Sequence, residues 1–263
     1  MEQSPPTLDQ QPPGPAQPAM SLASRLANVL AAPSEVYDQV RVATASVANW
    51  MAPAVLLMLV SWIGAWLVFS QPAIQHQLTD IQDKAIQKAI AKQHLSKEQA
   101  ERAQEAAAKY AGLGTKITAA VAPVMAGILI PVWWGLLGWL IGTKALKAQF
   151  PFMKAIEVAG LANMITVLEA IVKTLLILVT SSAFATPSLA LLIKDFDPQN
   201  PVHGALGAVN IMTFWFLAVV AIGLARLSGV ATGRAAGWVF GIWALYRGLL
   251  VGLGFALKAI MPS

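Results

Sequence analysis

Apolar residues in this chain gather into five runs, each long enough to cross a bilayer, which takes about 20 mostly apolar residues per helix. No charge occurs between Arg41 and Asp80, and Trp50–Ser70 is the apolar heart of that interval. The second run, residues 117–142, is bounded by Lys116 and Lys144 and contains Pro123 and Pro131, which should bend it because each removes a backbone donor and crowds the preceding turn. Runs three to five cover roughly 155–182, 207–227 and 236–260. Between runs one and two the pattern turns amphipathic. Ile74, Leu78, Ile81 and Ala85 recur at helical spacing with Ile86 and Ile90 alongside, and Ser96 with Gln99 makes a capping-box pattern. An Ala-rich helix follows, supported by Glu98–Arg102 and Glu105–Lys109 at four-residue spacing and predicted to end at Gly112. Two helices joined near His94 therefore make a hairpin outside the membrane. Before run one, Leu22, Leu26, Val29 and Leu30 share one helical face. After Pro33, Ser34 caps a turn presenting Val36, Tyr37 and Val40, and helices of this kind lie in the membrane interface.

The predicted architecture is all-α: a polytopic membrane helix bundle with about five transmembrane helices and an extramembrane helical hairpin. It divides into a tail at 1–20, amphipathic interfacial helices at 21–48, and a five-span membrane domain at 49–263 with the hairpin 73–112 inserted between spans one and two. Composition agrees. Hydrophobic residues make up 57% of the chain and charged ones 12%, where a soluble domain has about a quarter charged. The Pro- and Gln-rich start has no apolar block, so it reads as a disordered tail rather than a signal peptide, either solvated or a polyproline ligand. The net charge of +5 comes from lysines and arginines that flank apolar runs, which fits a lipid bilayer as partner and not nucleic acid.

Basic residues also set the orientation. With the N-terminus inside, the short inner segments hold Arg25, Arg41, Lys144, Lys147, Lys154, Arg226 and Arg234. The other face is richer in total, but seven of its basic residues lie in the long segment 84–116, and long loops translocate largely regardless of charge. A cytoplasmic N-terminus follows, with the 71–116 loop and the C-terminus extracytoplasmic.

The order of parts carries a resemblance. An interfacial "RLANVLAAPSEVYDQV" precedes a span opening "ANWMAPAVLL"; a helical outer loop follows, then "FPFMKAIEVAGLANMI" and "FDPQNPVHGALGAVNIMTFWFLAVVAIGLARLSG". Over roughly residues 20–260 this resembles the Yip-domain family, the Ypt/Rab-interacting membrane proteins, in its bacterial form. The resemblance implies five spans, a cytoplasmic N-terminus, a bacterial inner-membrane location and no catalytic residues. Eukaryotic members carry a Gly-Tyr pair and a later Pro in span three; here Leu161 follows Gly160 and the next proline is Pro187, which weakens transfer of a Rab-binding role.

Candidate chemistry concentrates in span three. Glu169 and Lys173 are helical neighbours in the favoured order, and Arg247 lies at similar depth in span five. Each charge alone near mid-bilayer costs about 2.5–3.5 kcal/mol on insertion scales. The expectation is that spans three and five pack together with Glu169 bridging Lys173 and Arg247, either as a network that fixes helix register or as an ion or proton relay. Glu157 and Lys154 are expected near the cytoplasmic interface, where snorkelling makes charge cheap. Gly229, Gly233, Gly237 and Gly241 recur every fourth residue, as do Gly138 and Gly142, with Gly248 and Gly252 one face over. Such spacing lets helix backbones approach in lipid, closing the bundle of a monomer or forming a homo-oligomer face.

Other motifs fail on their chemistry. "GLGTK" lacks the phosphate-loop spacing, and "DFDPQNP" lacks the glycine and terminal glutamate of a calcium loop. Asn200 before Pro201 is instead a helix N-cap, and Thr186–Pro187 opens a short outer helix. Ser181 and Ser182 have no acid and histidine partner in the sequence. With no cysteine and with His76, His94 and His203 scattered, no metal, cofactor or catalytic set is expected. The reading is a non-enzymatic membrane protein acting by protein or lipid interaction, with an unidentified membrane or extracytoplasmic protein partner. The alternative is a transporter or permease component with an ionisable pathway through spans three and five.

Overall fold

The computed structural model describes residues 20–93, 97–194, 196–197 and 200–260. The tail expected at the start, the junction near His94, the Ser96 cap and Asp195 fall outside them. Ten α-helices follow one another: α1 (Leu22–Ala31), α2 (Pro33–Val42), α3 (Ala48–Phe69), α4 (Pro72–Gln93), α5 (Lys97–Leu140), α6 (Phe152–Ala162), α7 (Met164–Thr180), α8 (Pro201–Ala208), α9 (Ile211–Ser228) and α10 (Thr232–Ile260). Among the described residues there is no strand, and five helical segments are long and apolar enough to cross a membrane. They are Ala48–Phe69, Leu113–Ala145, Phe152–Thr180, Ile211–Ser228 and Thr232–Ala256. The chain is an all-α polytopic bundle.

The third span comprises α6 and α7, which meet at Asn163. The second lies in α5, a helix of 44 residues that starts in the hairpin and runs straight through Gly112. The predicted end at Gly112 is therefore wrong. A glycine in a helix interior costs about 1 kcal/mol, too little to stop a helix with an Ala-rich segment on one side and an apolar span on the other. The helix also continues past Pro123 and Pro131, and ends in one π-helical turn at Ile141–Ala145. Gln82 Nε2 donates to Thr115 Oγ1 at 3.2 Å, so α4 folds back along α5 as the hairpin pattern anticipates. The predicted N-cap at Asn200 forms, and Asn210 caps α9 in the same way, each side-chain oxygen accepting from the backbone N–H two residues on (3.0 and 2.9 Å). The short outer helix predicted to open at Thr186–Pro187 is instead a 3₁₀ segment, Leu189–Leu192, capped by Ser188.

Helix α9 is the central post. Buried residues make up 44% of its apolar stretch against 6% in α10, which packs on α9 and α8. The core gathers Leu217, Val220 and Leu224 of α9 with Leu161 and Val158 of α6 and Ile165 of α7. Helices α1 and α2 join that core: Val29, Val36, Tyr37 and Val40 are fully buried. The apolar faces expected to meet lipid are instead covered by protein, chiefly α9 and α6. Tyr37 shows how close the fit is. Its ring lies where a side chain on Gly223 would stand, its hydroxyl donates to the Val158 carbonyl at 2.9 Å, and burial pushes its phenol well above the ordinary range.

Close helix approach uses other glycines than those singled out. A Cβ at Gly160 would overlap the Cα and Cβ of Trp50, and one at Gly135 would lie 3.0 Å from the Cα of Ile156. Around Gly138, Gly233, Gly237, Gly241, Gly248 and Gly252 nothing lies within 4 Å of that position. The same holds at Gly229, whose φ of +66° makes it the left-handed C-cap of α9. Of the six glycines expected to pack helices, Gly142 alone has such neighbours, in Phe150 and Leu224. Gly160→Ala should therefore destabilise the protein by about 1–3 kcal/mol through overpacking against immovable backbone, whereas Gly237→Ala should be neutral or gain up to about 1 kcal/mol of helix propensity. Thermal unfolding of the two variants in detergent checks the contrast.

Candidate functional site

Two places in the bundle bring charged side chains together. The first was expected to be an ordinary interfacial pair. Lys154 and Glu157 lie in the first turns of α6, one turn apart, with side chains 8% and 0% exposed. Snorkelling does not describe them, because α1, α2 and the start of α3 close over this end of α6. Nζ of Lys154 lies 3.0 Å from Oε2 of Glu157 and donates to the carbonyls of Val40 (2.6 Å) and Ala43 (2.8 Å). Those are among the last carbonyls of α2, which have no helical donor. Oε1 of Glu157 accepts from the backbone N–H of Ser46 and from Asn49 Nδ2 (3.3 Å), at the start of α3. The ammonium thus sits at a helix C-terminus and the carboxylate at a helix N-terminus, each complementing the local dipole. Arg25 of α1 extends the cluster, donating from Nη1 to Asn49 Oδ1 at 3.3 Å.

The second place is the predicted intramembrane network. Among the described residues the ion pairs within 4.0 Å are Arg102–Glu98, Lys154–Glu157 and Arg226–Asp38, so Glu169 pairs with neither Lys173 nor Arg247. Its partner is Asn210, whose Nδ2 donates to Glu169 Oε1 at 2.5 Å. Asn210 is buried, and its other amide atom caps α9. The carboxylate therefore lies beside the N-terminus of an 18-residue helix, where backbone N–H groups and the macrodipole favour negative charge. Spans three and five do not pack together in the expected way either. Helix α10 is held on α9, and between it and α7 lies a cavity of about 540 Å³ lined by Glu169, Arg247, Trp134, Phe216 and Trp243.

Glu169 also faces a larger space on its other side. A groove of about 870 Å³ lies between α3, α5 and α7. Its walls are mostly small residues, among them Ala65, Ala122 and Ala126, with hydroxyls from Ser61, Thr118 and Thr174. Glu169 and Thr166 line both cavities, and Lys173 lines the groove. Lys173 is exposed and makes no hydrogen bond or ion pair among the described residues.

Sequence reasoning placed Glu169 and Lys173 on one helix face and missed their true surroundings. Asn210 was legible as a polar residue opening an apolar run, yet nothing local tied it to a residue 41 positions earlier. Asn49 likewise reaches Glu157 across 108 positions. Removing one partner of a buried pair costs about 3–5 kcal/mol, so Lys154→Met should lower stability by that much, against less than about 0.5 kcal/mol for Lys173→Met at an exposed position. Asn210→Ala should cost about 1–3 kcal/mol, from the lost cap and an unpartnered acceptor. Guanidine-free thermal or steric-trap unfolding of the three variants reads these differences.

Comparison with known proteins adds one result. Neither a curated protein nor a solved structure matches the chain. The family model for the Yip1 domain matches residues 27–254, which takes in α2 through most of α10 and every charged group described above except Arg25. On that match the chain, a multi-pass membrane protein by its five apolar helices, belongs to the Yip1 domain family.

Proposed function

We propose that the protein works by binding and membrane organisation rather than catalysis, with the α4–α5 hairpin as its docking surface for a membrane or extracytoplasmic protein. In this reading it resides in a bacterial inner membrane with its N-terminus in the cytoplasm and the hairpin and C-terminus outside. The observation that carries it is the continuity of α5, one helix from the hairpin through span two. A partner seated on the hairpin would act directly on the membrane bundle. Anchoring at the base supports the same role: Gln77 Nε2 donates to the Ser181 carbonyl (2.6 Å), and Gln77 Oε1 accepts from Ala183 N–H (3.1 Å). These bonds hold α4 to the loop after span three.

A second reading, an ion or proton pathway, is favoured by the two cavities that meet at Glu169. It requires water at that carboxylate, where the binding reading needs none. Cysteines introduced at Thr166 and Thr174 in this Cys-free chain would report water access to the groove, and liposome flux would report transport.

The test of the first reading is cross-linking in the native membrane, followed by mass spectrometry. Wild type is compared with a variant in which residues 86–111 are replaced by a short Gly-Ser turn, keeping Gln77, Gln82 and their bonds. A specific partner captured by wild type and lost from the variant is expected. Equal capture by both forms, or proton flux through purified protein in liposomes, would overturn the proposal.

A further inference from the structure

The groove between α3, α5 and α7 is well formed for a ligand and has one charge that the protein leaves unanswered. Its volume of about 870 Å³ falls in the usual 300–1,000 Å³ range of small-molecule sites. Small side chains create it. Gly64 of α3 comes so near Thr174 of α7 that a Cβ there would lie 2.5 Å from the threonine hydroxyl, so spans one and three touch along the groove, and Ala65, Ala122 and Ala126 add only small side chains to its lining. Such walls suit a flexible hydrocarbon chain. A rigid polar solute would find few partners along them.

The charges decide the rest. Glu169 is answered by the Asn210 amide and the N-terminus of α9. Lys173, one turn further along α7, lines the groove and makes no hydrogen bond or ion pair among the described residues. It stands seven residues before Thr180, the last residue of α7, about 10 Å from the helix end at 1.5 Å per residue. A lysine at that depth extends its ammonium toward the headgroup level while its stem stays in hydrocarbon. The groove therefore offers an apolar trough with a cation on its wall that has no ion-pair partner among the described residues.

We propose that this groove is a phospholipid site, in which an acyl chain lies between spans one, two and three and the lipid phosphate is held by Lys173. The proposal gives the membrane-organisation role proposed above a ligand and does not involve the hairpin, so the two fail separately: loss of partner capture leaves lipid binding untouched, and the reverse.

The experiment uses the full chain reconstituted in phosphatidylcholine vesicles containing a small fraction of phosphatidylglycerol with a photoactivatable acyl chain. After illumination, adducts are mapped by peptide mass spectrometry. Expected are adducts concentrated on segments 57–69, 114–126 and 166–177, a fall of at least fivefold in Lys173→Met, and retention in Lys173→Arg. Ala122→Leu with Ala126→Leu, which fills the trough, should reduce labelling to a similar extent, while millimolar inorganic phosphate should not compete. Labelling spread evenly over all lipid-facing segments, including α10, would overturn the proposal, as would equal labelling of wild type and Lys173→Met. Groove peptides cross-linked to a second copy of the chain would do so as well, by assigning the surface to self-association.

Discussion

The pair formed by Lys154 and Glu157 fixes how the parts of this molecule meet. Its two charges lie between the carboxyl end of α2 and the amino end of α3, so the ion pair neutralises itself and both helix termini together. This geometry makes two otherwise costly features compatible. A fully buried carboxylate gains four compensations: an ammonium, a backbone N–H, an amide and a favourable dipole. Two helix ends that would carry orphan backbone groups into the protein interior gain charged partners. Helices α1 and α2 can then lie against α9 with their apolar residues covered, and Tyr37 can reach the Val158 carbonyl.

A similar device appears at the other end of α9. There Glu169 has no cation within ion-pairing distance among the described residues, and the N-cap amide of Asn210 takes that role. Buried Glu157 and half-buried Glu169 are thus both held at helix amino ends, one with a lysine and one without. This arrangement explains why Glu169 leaves Lys173 unengaged, and why a free cation borders the groove between α3, α5 and α7.

The spans were legible because length and apolar content alone define them: all five observed segments overlap the predicted runs, with ends displaced by a few residues. The Asn200 cap was legible because its signal is local. Three things were not. Gly112 looked like a helix end because a glycine after an Ala-rich stretch is ambiguous, and the apolar span beyond it settles the matter. The Gly229–Gly241 series looked like a packing face, yet Gly64, Gly135, Gly160 and Gly223 make the close approaches. Periodicity shows which residues share a helix face, but in a membrane both lipid and protein are apolar, so it does not show which face meets which. Charge behaved similarly. Glu169, Lys173 and Arg247 were recognisable as unusual, but their partners depend on α9 standing between spans three and five, and no spacing in the sequence contains that fact.

Helix α5 extends for about 66 Å at 1.5 Å per residue; its middle, from Gly114 to Ala126, forms one wall of the groove, and the stretch before that is an arm of the hairpin. Toward its inner end it is pinned by the tight contact of Gly135 with Ile156. The part of the helix that borders the groove and the part that forms the hairpin are thus one rigid rod, with no joint between them.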